Sequence, residues 1–205
     1  LAHCQSQEPQ AEHSVHWLPR RGSALKAHIE TRGTRELRDL PDDLLNPTQQ
    51  RVKAATLSGQ AFFDQNAAAQ ALAGHKLPGF FLDFETIQFG VPIWQGTRPY
   101  QQMPFQFSVH RLGRTGRVAH QAFLDLTGGN PSLPFAQALL AACGERGPVF
   151  VYNSAFEQTR IRELAERHPR LAPALHAIND RIVDLLPVAR QHYYHPSQQG
   201  SWSIK

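Results

Sequence analysis

The segment Phe80-Phe81-Leu82-Asp83-Phe84-Glu85 limits the fold more than any other stretch of this 205-residue chain. A short run of aromatic and branched apolar residues, opened by Pro78-Gly79, reads as a β-strand. Residues two apart on a strand share a face, so Asp83 and Glu85 emerge together and Phe84 enters the core. Two carboxylates rising side by side from an apolar strand repel each other and resist desolvation. Either the strand end runs into solvent, or a cation sits between the pair. A divalent ion that prefers hard oxygen ligands, Mg²⁺ or Mn²⁺, is the matching counter-charge.

Around this strand the pattern predicts an α/β domain. Residues 104–112 and 117–124 alternate as two further strands, and Gly113 to Gly116 between them signals a tight hairpin. Asn130-Pro131 opens a helix running to about Cys143. Residues 148–152 are a short buried strand. Residues 155–167 form an amphipathic helix whose inner face is Phe156, Ile161, Leu164 and Ala165. Two more helical patterns cover 170–178 and 180–191. Three strands, a helix, a strand and helices are the order of a sheet with an antiparallel start and a parallel crossover.

Residues 1–77 read differently. Residues 1–22 are polar and without period. Short helices are expected over 23–32, from Asn46-Pro47 to about Ser58, and over 65–73. The expected organisation is a helical linker, or the tail of a preceding domain, over residues 1–77, and a sheet domain over 78–205.

Composition narrows the class. Hydrophobic residues at 41% and charged residues at 19% suit a globular chain with a sizeable core. Its apolar runs are a few residues long, against the ~20 that a membrane helix needs, so a bilayer span and a membrane partner are not expected. Two cysteines, Cys4 and Cys143, exclude a disulfide framework. Nothing resembles a signal peptide, and a reducing, cytoplasmic compartment is expected. The net charge is +4, with nine Lys/Arg against eight Asp/Glu before residue 79 and twelve against nine after it. A mildly basic field attracts polyanions, although +4 is also an ordinary solubility charge.

A second constellation follows the strand at 148–152. In Tyr152-Asn153-Ser154-Ala155-Phe156-Glu157, Asn153 caps the next helix and Glu157 falls in its first turn, where the helix dipole favours an acid with or without a metal. In the functional alternative Glu157 faces Asp83 and Glu85 at the C-terminal edge of the sheet, where ligands bind in such folds.

Phe81-Leu82-Asp83-Phe84-Glu85-Thr86 resembles the first motif of the DnaQ-like, DEDD-type 3′–5′ exonucleases, whose fold is ribonuclease-H-like. Tyr152 to Glu157 resembles their second motif. Residues 96–108, Arg181 to Leu186 and Gly200 to Lys205 resemble a bacterial subfamily of that fold, one commonly fused behind a RecB/Cas4-like nuclease domain with a cysteine cluster. The resemblance covers about residues 78–205. It implies a ribonuclease-H-like mixed sheet flanked by helices, with nucleic acid, notably a single-stranded 3′ end, as partner. It implies two metal ions, Mg²⁺ or Mn²⁺, with Asp83 bridging them, Glu85 binding one and Glu157 the other. Position 157 is Glu where the general pattern has Asp; Glu is normal in the subfamily. A third motif, an Asp with a His or Tyr a few residues before it, is expected beyond Lys205. The implied activity of the intact protein is metal-dependent 3′–5′ exonucleolytic hydrolysis of DNA or RNA, in repair or defence. Two alternatives stay open: a non-catalytic nucleic-acid-binding module of the same fold, and a ribonuclease-H-like endonuclease.

Other residues carry two readings each. Arg98, Tyr100, Gln102 and Gln106, like Asn153, are candidates for contact with nucleic-acid backbone or a stacked base, or they anchor a loop and pack a strand. Asp184, on a helical pattern, touches metal, is solvated, or meets a helix terminus. Cys4 is a free thiol or the last member of a preceding domain's cysteine cluster. Cys143 reads as a buried helix residue. His192 and His195 read as a loop before Pro196 rather than a metal cluster.

Overall fold

The computed structural model describes residues 11–204. They form two compact units: one is Leu72–Leu185, and the other combines the residues up to Ala71 with those from Leu186 on. The sequence pattern places one boundary near residue 78. It does not reveal that residues after 185 join the first unit, because that association is long-range.

The first unit opens with helices Ser23–Arg32 (α1) and Pro47–Ser58 (α2), strand Phe62–Phe63 (β1) and most of helix Gln65–Leu72 (α3). Asn46 and Gln49 make the reciprocal capping box that fixes the start of α2: Gln49 N–H donates to Asn46 Oδ1 (3.0 Å) and Asn46 N–H to Gln49 Oε1 (3.0 Å). No sequence signal announces β1, which pairs with a strand far along the chain.

In the second unit, strands Gly79–Ile87 (β2), Met103–Leu112 (β3) and Val118–Leu124 (β4) are followed by helix Ser132–Cys143 (α4). Then come strand Val149–Val151 (β5), helices Ala155–Arg167 (α5) and Ala172–Asn179 (α6), and strand Ile182–Asp184 (β6). The five strands make one mixed sheet in the order β4-β3-β2-β5-β6. β3 runs antiparallel to β2 and β4, and β5 and β6 run parallel to β2. The α/β expectation, a mixed sheet flanked by helices, describes this unit. β6 corrects the helical reading of residues 180–191: Ile182 and Val183 are β-branched, and an apolar run this short does not separate strand from helix by period.

The core of this unit gathers Phe80, Leu82 and Phe84 of β2, Phe107 and Val109 of β3, Phe135 and Leu139 of α4, Ile161 and Leu164 of α5, and Leu175 and Ile178 of α6. Phe135 sits edge-on to both Phe84 (5.2 Å) and Phe107 (5.4 Å). Each such side chain contributes ~1.5–3 kcal/mol by leaving water. Gly147, at φ 98°, lies against the start of β2, and a Cβ there would stand 2.2 Å from the Pro78 carbonyl oxygen. Only glycine permits that approach.

The chain returns to the first unit through helix Leu185–His192 (α7) and strand Tyr193–Tyr194 (β7), which pairs antiparallel with β1. His192 therefore ends a helix, which corrects the loop expected there, whereas His195 lies in the irregular stretch just before Pro196. Tyr194 is fully buried, and its hydroxyl meets Thr56 Oγ1 (3.2 Å) and accepts from Gly200 N–H (3.2 Å). Cys143 is buried in α4, and Cys4 lies outside the described residues. Among the described residues no helix is long and apolar enough to cross a membrane.

Candidate functional site

β2 alternates strictly. Phe80, Leu82 and Phe84 are buried, whereas Phe81, Asp83 and Glu85 are exposed on the opposite face. The neighbouring strand sets Ser108 opposite Asp83 and Gln106 opposite Glu85, so Gln106 shares the face of the two acids. The register shifts between Glu85 and Thr86, and that bulge ends the regular pairing just past the second acid.

Two parallel strands carry the remaining candidates to the same edge. β5 pairs Phe80 with Val149 and Phe81 with Phe150. Extending that register two residues brings Asp83 level with Tyr152, at the mouth of the turn into α5. β6 pairs Val151 with Asp184, so Asp184 closes the row. Parallel strands end on one side of a sheet, and this is where open α/β sheets bind ligands.

The turn after β5 is held by Asp184. Asn153 N–H donates to Asp184 Oδ1 (2.9 Å) and Ser154 N–H to Oδ2 (3.0 Å). This corrects the expected role of Asn153. Ser154 is the N-cap, with no side-chain bond of its own, and Asn153 stands at φ 71°, a left-handed conformation that Asn tolerates better than most residues. The cap comes from a carboxylate on another strand, which local sequence cannot announce. Glu157 is the third residue of α5 and only 4% exposed. It is an acid withdrawn from water, placed where the free amides of a helix start favour negative charge.

The three predicted ligands lie toward the same end of the sheet, two on the exposed face of β2 and one buried at the start of α5. They do not form a finished cage: among the described residues, no three His, Cys, Asp or Glu side chains are grouped so as to hold a metal ion.

The loop between β2 and β3 is tied to α5 by a row of charges that sequence reading missed. Arg160 Nη1 donates to Gln102 Oε1, and its Nη2 donates to Glu163 Oε1 (3.0 Å). Glu163 also faces Arg98 Nη2 (3.8 Å). Arg167 Nη2 donates to Gly96 O (2.9 Å). The available signal was the spacing of Arg160, Glu163 and Arg167, which puts them on one side of a helix. Gln102 is therefore a loop anchor. Arg98, with its side chain 75% exposed, and Tyr100, at 71%, project from the loop this row secures.

No curated protein and no solved structure matches the chain. A family model, described as "Domain of unknown function (DUF2779)", matches residues 80–203. That match takes in the five-stranded sheet from the second residue of β2 on, both predicted motifs and the return through β7, and the chain belongs to this family.

Proposed function

We propose that the intact protein is a metal-dependent 3′–5′ exonuclease of the DnaQ-like type, acting on single-stranded ends of DNA or RNA in the cytoplasm. The observation that carries this reading is the pair Asp83 and Glu85, which share the exposed face of the central strand and stand level with the turn that leads to Glu157. The strand order, with an antiparallel start and a parallel finish, supports the ribonuclease-H-like resemblance.

The donor set suits hard cations, since all three candidate ligands are carboxylates. Asp83, Glu85 and Glu157 would hold two Mg²⁺ or Mn²⁺ ions, which when bound activate water and offset charge on the leaving 3′-oxygen. The chain's own polar groups orient the strand. Arg98 meets a backbone phosphate, Tyr100 offers an exposed ring to a terminal base, and Gln106 and Asn153 flank the acids. The resemblance places the proton acceptor in a third motif beyond Lys205, and the partner nuclease domain of RecB/Cas4-like type ahead of this chain.

The test is hydrolysis of a 5′-labelled single strand by the intact protein with Mn²⁺, beside an Asp83→Asn variant. The reading expects a ladder shortening from the 3′ end and its loss in the variant. Internal cuts would identify the endonuclease alternative. Retarded migration without cleavage would identify a binding module.

A further inference from the structure

β4 is an outer strand of the sheet, and among the described residues its one neighbour is β3. Its sequence, Val118-Ala119-His120-Gln121-Ala122-Phe123-Leu124, holds no Lys, Arg, Asp, Glu or Pro. Those are residues with which sheet edges commonly block further pairing. Only Phe123 is half-buried; the rest are exposed, Val118 at 58% and Leu124 at 54%.

The bonds at the two ends show which backbone groups turn outward. Gly113 N–H donates to Arg117 O (2.8 Å), and Asp125 N–H donates to Phe105 O (2.9 Å). Residues of that parity therefore point their N–H and C=O at β3, along a ladder with no shift. Val118, His120, Ala122 and Leu124 point theirs away from it.

We propose that two copies of this chain pair antiparallel through β4, with the two-fold axis at Gln121. In this register Val118 meets Leu124 of the second copy and His120 meets Ala122, twice each by symmetry. Every outward residue faces an outward residue, and four such pairs exchange about eight backbone bonds. Just past the strand ends, Arg117 meets Asp125 of the second copy. Thr127 donates its N–H (2.8 Å) and hydroxyl (2.7 Å) to Asp125 Oδ1, which holds that carboxyl below its usual range and keeps it charged. A slip by one residue would set outward groups against inward ones. A slip by two would break the charge pairs and part Val118 from Leu124. The edge is thus self-complementary in hydrogen bonds, apolar contact and charge at a single register. The axis stands perpendicular to the sheet, so both copies present Asp83 and Glu85 on the same side. The pairing does not depend on the nuclease reading.

Sedimentation velocity on the full chain, at the roughly micromolar concentrations where modest interfaces dissociate, tests the proposal. The wild-type chain is expected to be a dimer. Ala122→Pro deletes an outward N–H and spares the β3 ladder, so a folded monomer is expected. Arg117→Glu and Asp125→Lys each face like charges across the axis and should weaken self-association by roughly tenfold or more. Mixing those two variants should restore a dimer, because each supplies what the other lacks. A wild-type monomer, a dimer that survives Ala122→Pro, or charge variants that do not reassociate on mixing would overturn the proposal. Should Ala122→Pro fail to fold, the charge variants still decide the question.

Discussion

Asp184 and Asn153 are 31 residues apart in sequence and joined by a hydrogen bond, from Asn153 N–H to Asp184 Oδ1 at 2.9 Å. The second oxygen takes Ser154 N–H at 3.0 Å. One carboxylate therefore binds the end of β6 to the turn that launches α5, and with it the position of Glu157. The left-handed backbone of Asn153, at φ 71°, is retained because this carboxylate rewards it.

Asp184→Ala removes the acceptor for both amides, and the expected cost is about 1–3 kcal/mol. Asp184→Asn keeps one oxygen and should fall between the variant and the wild type. Urea unfolding followed by circular dichroism reads this as a shift in midpoint. An unchanged midpoint in Asp184→Ala would remove the carboxylate from the account of this turn.

How far the sequence foretold this site depends on the range of the forces involved. Asp83, Phe84 and Glu85 were legible because strand alternation is local, and Phe84 is 1% exposed between two exposed acids. The capping box of Asn46 and Gln49 was legible in part for the same reason, since Asn46-Pro47 marks a helix start. Asp184 was misread. A three-residue strand has no period of its own, and β6 exists because β5 offers it a parallel ladder. The pairing of β1 with β7 was invisible because its partners are over a hundred residues apart. The row Arg160, Glu163 and Arg167 was visible as a helix face, but the loop it secures was not.

Arg181 performs a similar service at the far end of the sheet. Its guanidinium donates to Gly144 O (2.7 Å) and Gly147 O (2.9 Å), just beyond α4, and its Nε donates to Ala177 O (3.2 Å) in α6. A planar fork is needed to reach carbonyls on two segments at once. Arg181→Met should cost about 2–4 kcal/mol by leaving those carbonyls without their donor. Arg181→Lys restores the charge but not the fork, and it should recover only part of the loss. Thermal unfolding of the three proteins checks the order wild type, Lys, Met.

His168 gives a pH dependence of definite sign. Its Nε2 meets Ser132 Oγ at 3.0 Å. Burial, and next the charge of Arg167, hold its pKa below the ordinary value of 6.5. The unfolded chain therefore binds this proton more readily than the folded one. Its contribution to stability is complete above pH ~6.5, declines as pH falls below that value, and levels off beneath the folded pKa. Urea midpoints for wild type and His168→Gln should diverge between neutral and mildly acid pH, the variant losing less on acidification. Parallel profiles would refute the assignment.

Cys143 supplies a probe of the core itself. It is fully buried at the end of α4, and burial pushes its thiol up to about 12. At pH 8 that leaves a thiolate fraction of about 10⁻⁴, and only thiolate attacks an alkylating reagent. Modification therefore has to pass through opening of the unit Leu72–Leu185 rather than through attack on the closed form. In a Cys4→Ser background, iodoacetamide should label the folded protein slowly and the urea-unfolded protein at the rate of a free thiol. Variants that weaken this unit, Asp184→Ala and Arg181→Met among them, should raise the native rate in proportion to their loss of stability. Fast labelling of the stable wild-type protein would mean that the thiol is open to solvent, and that α4 does not close over β2 and β3 as Phe135 and Leu139 require.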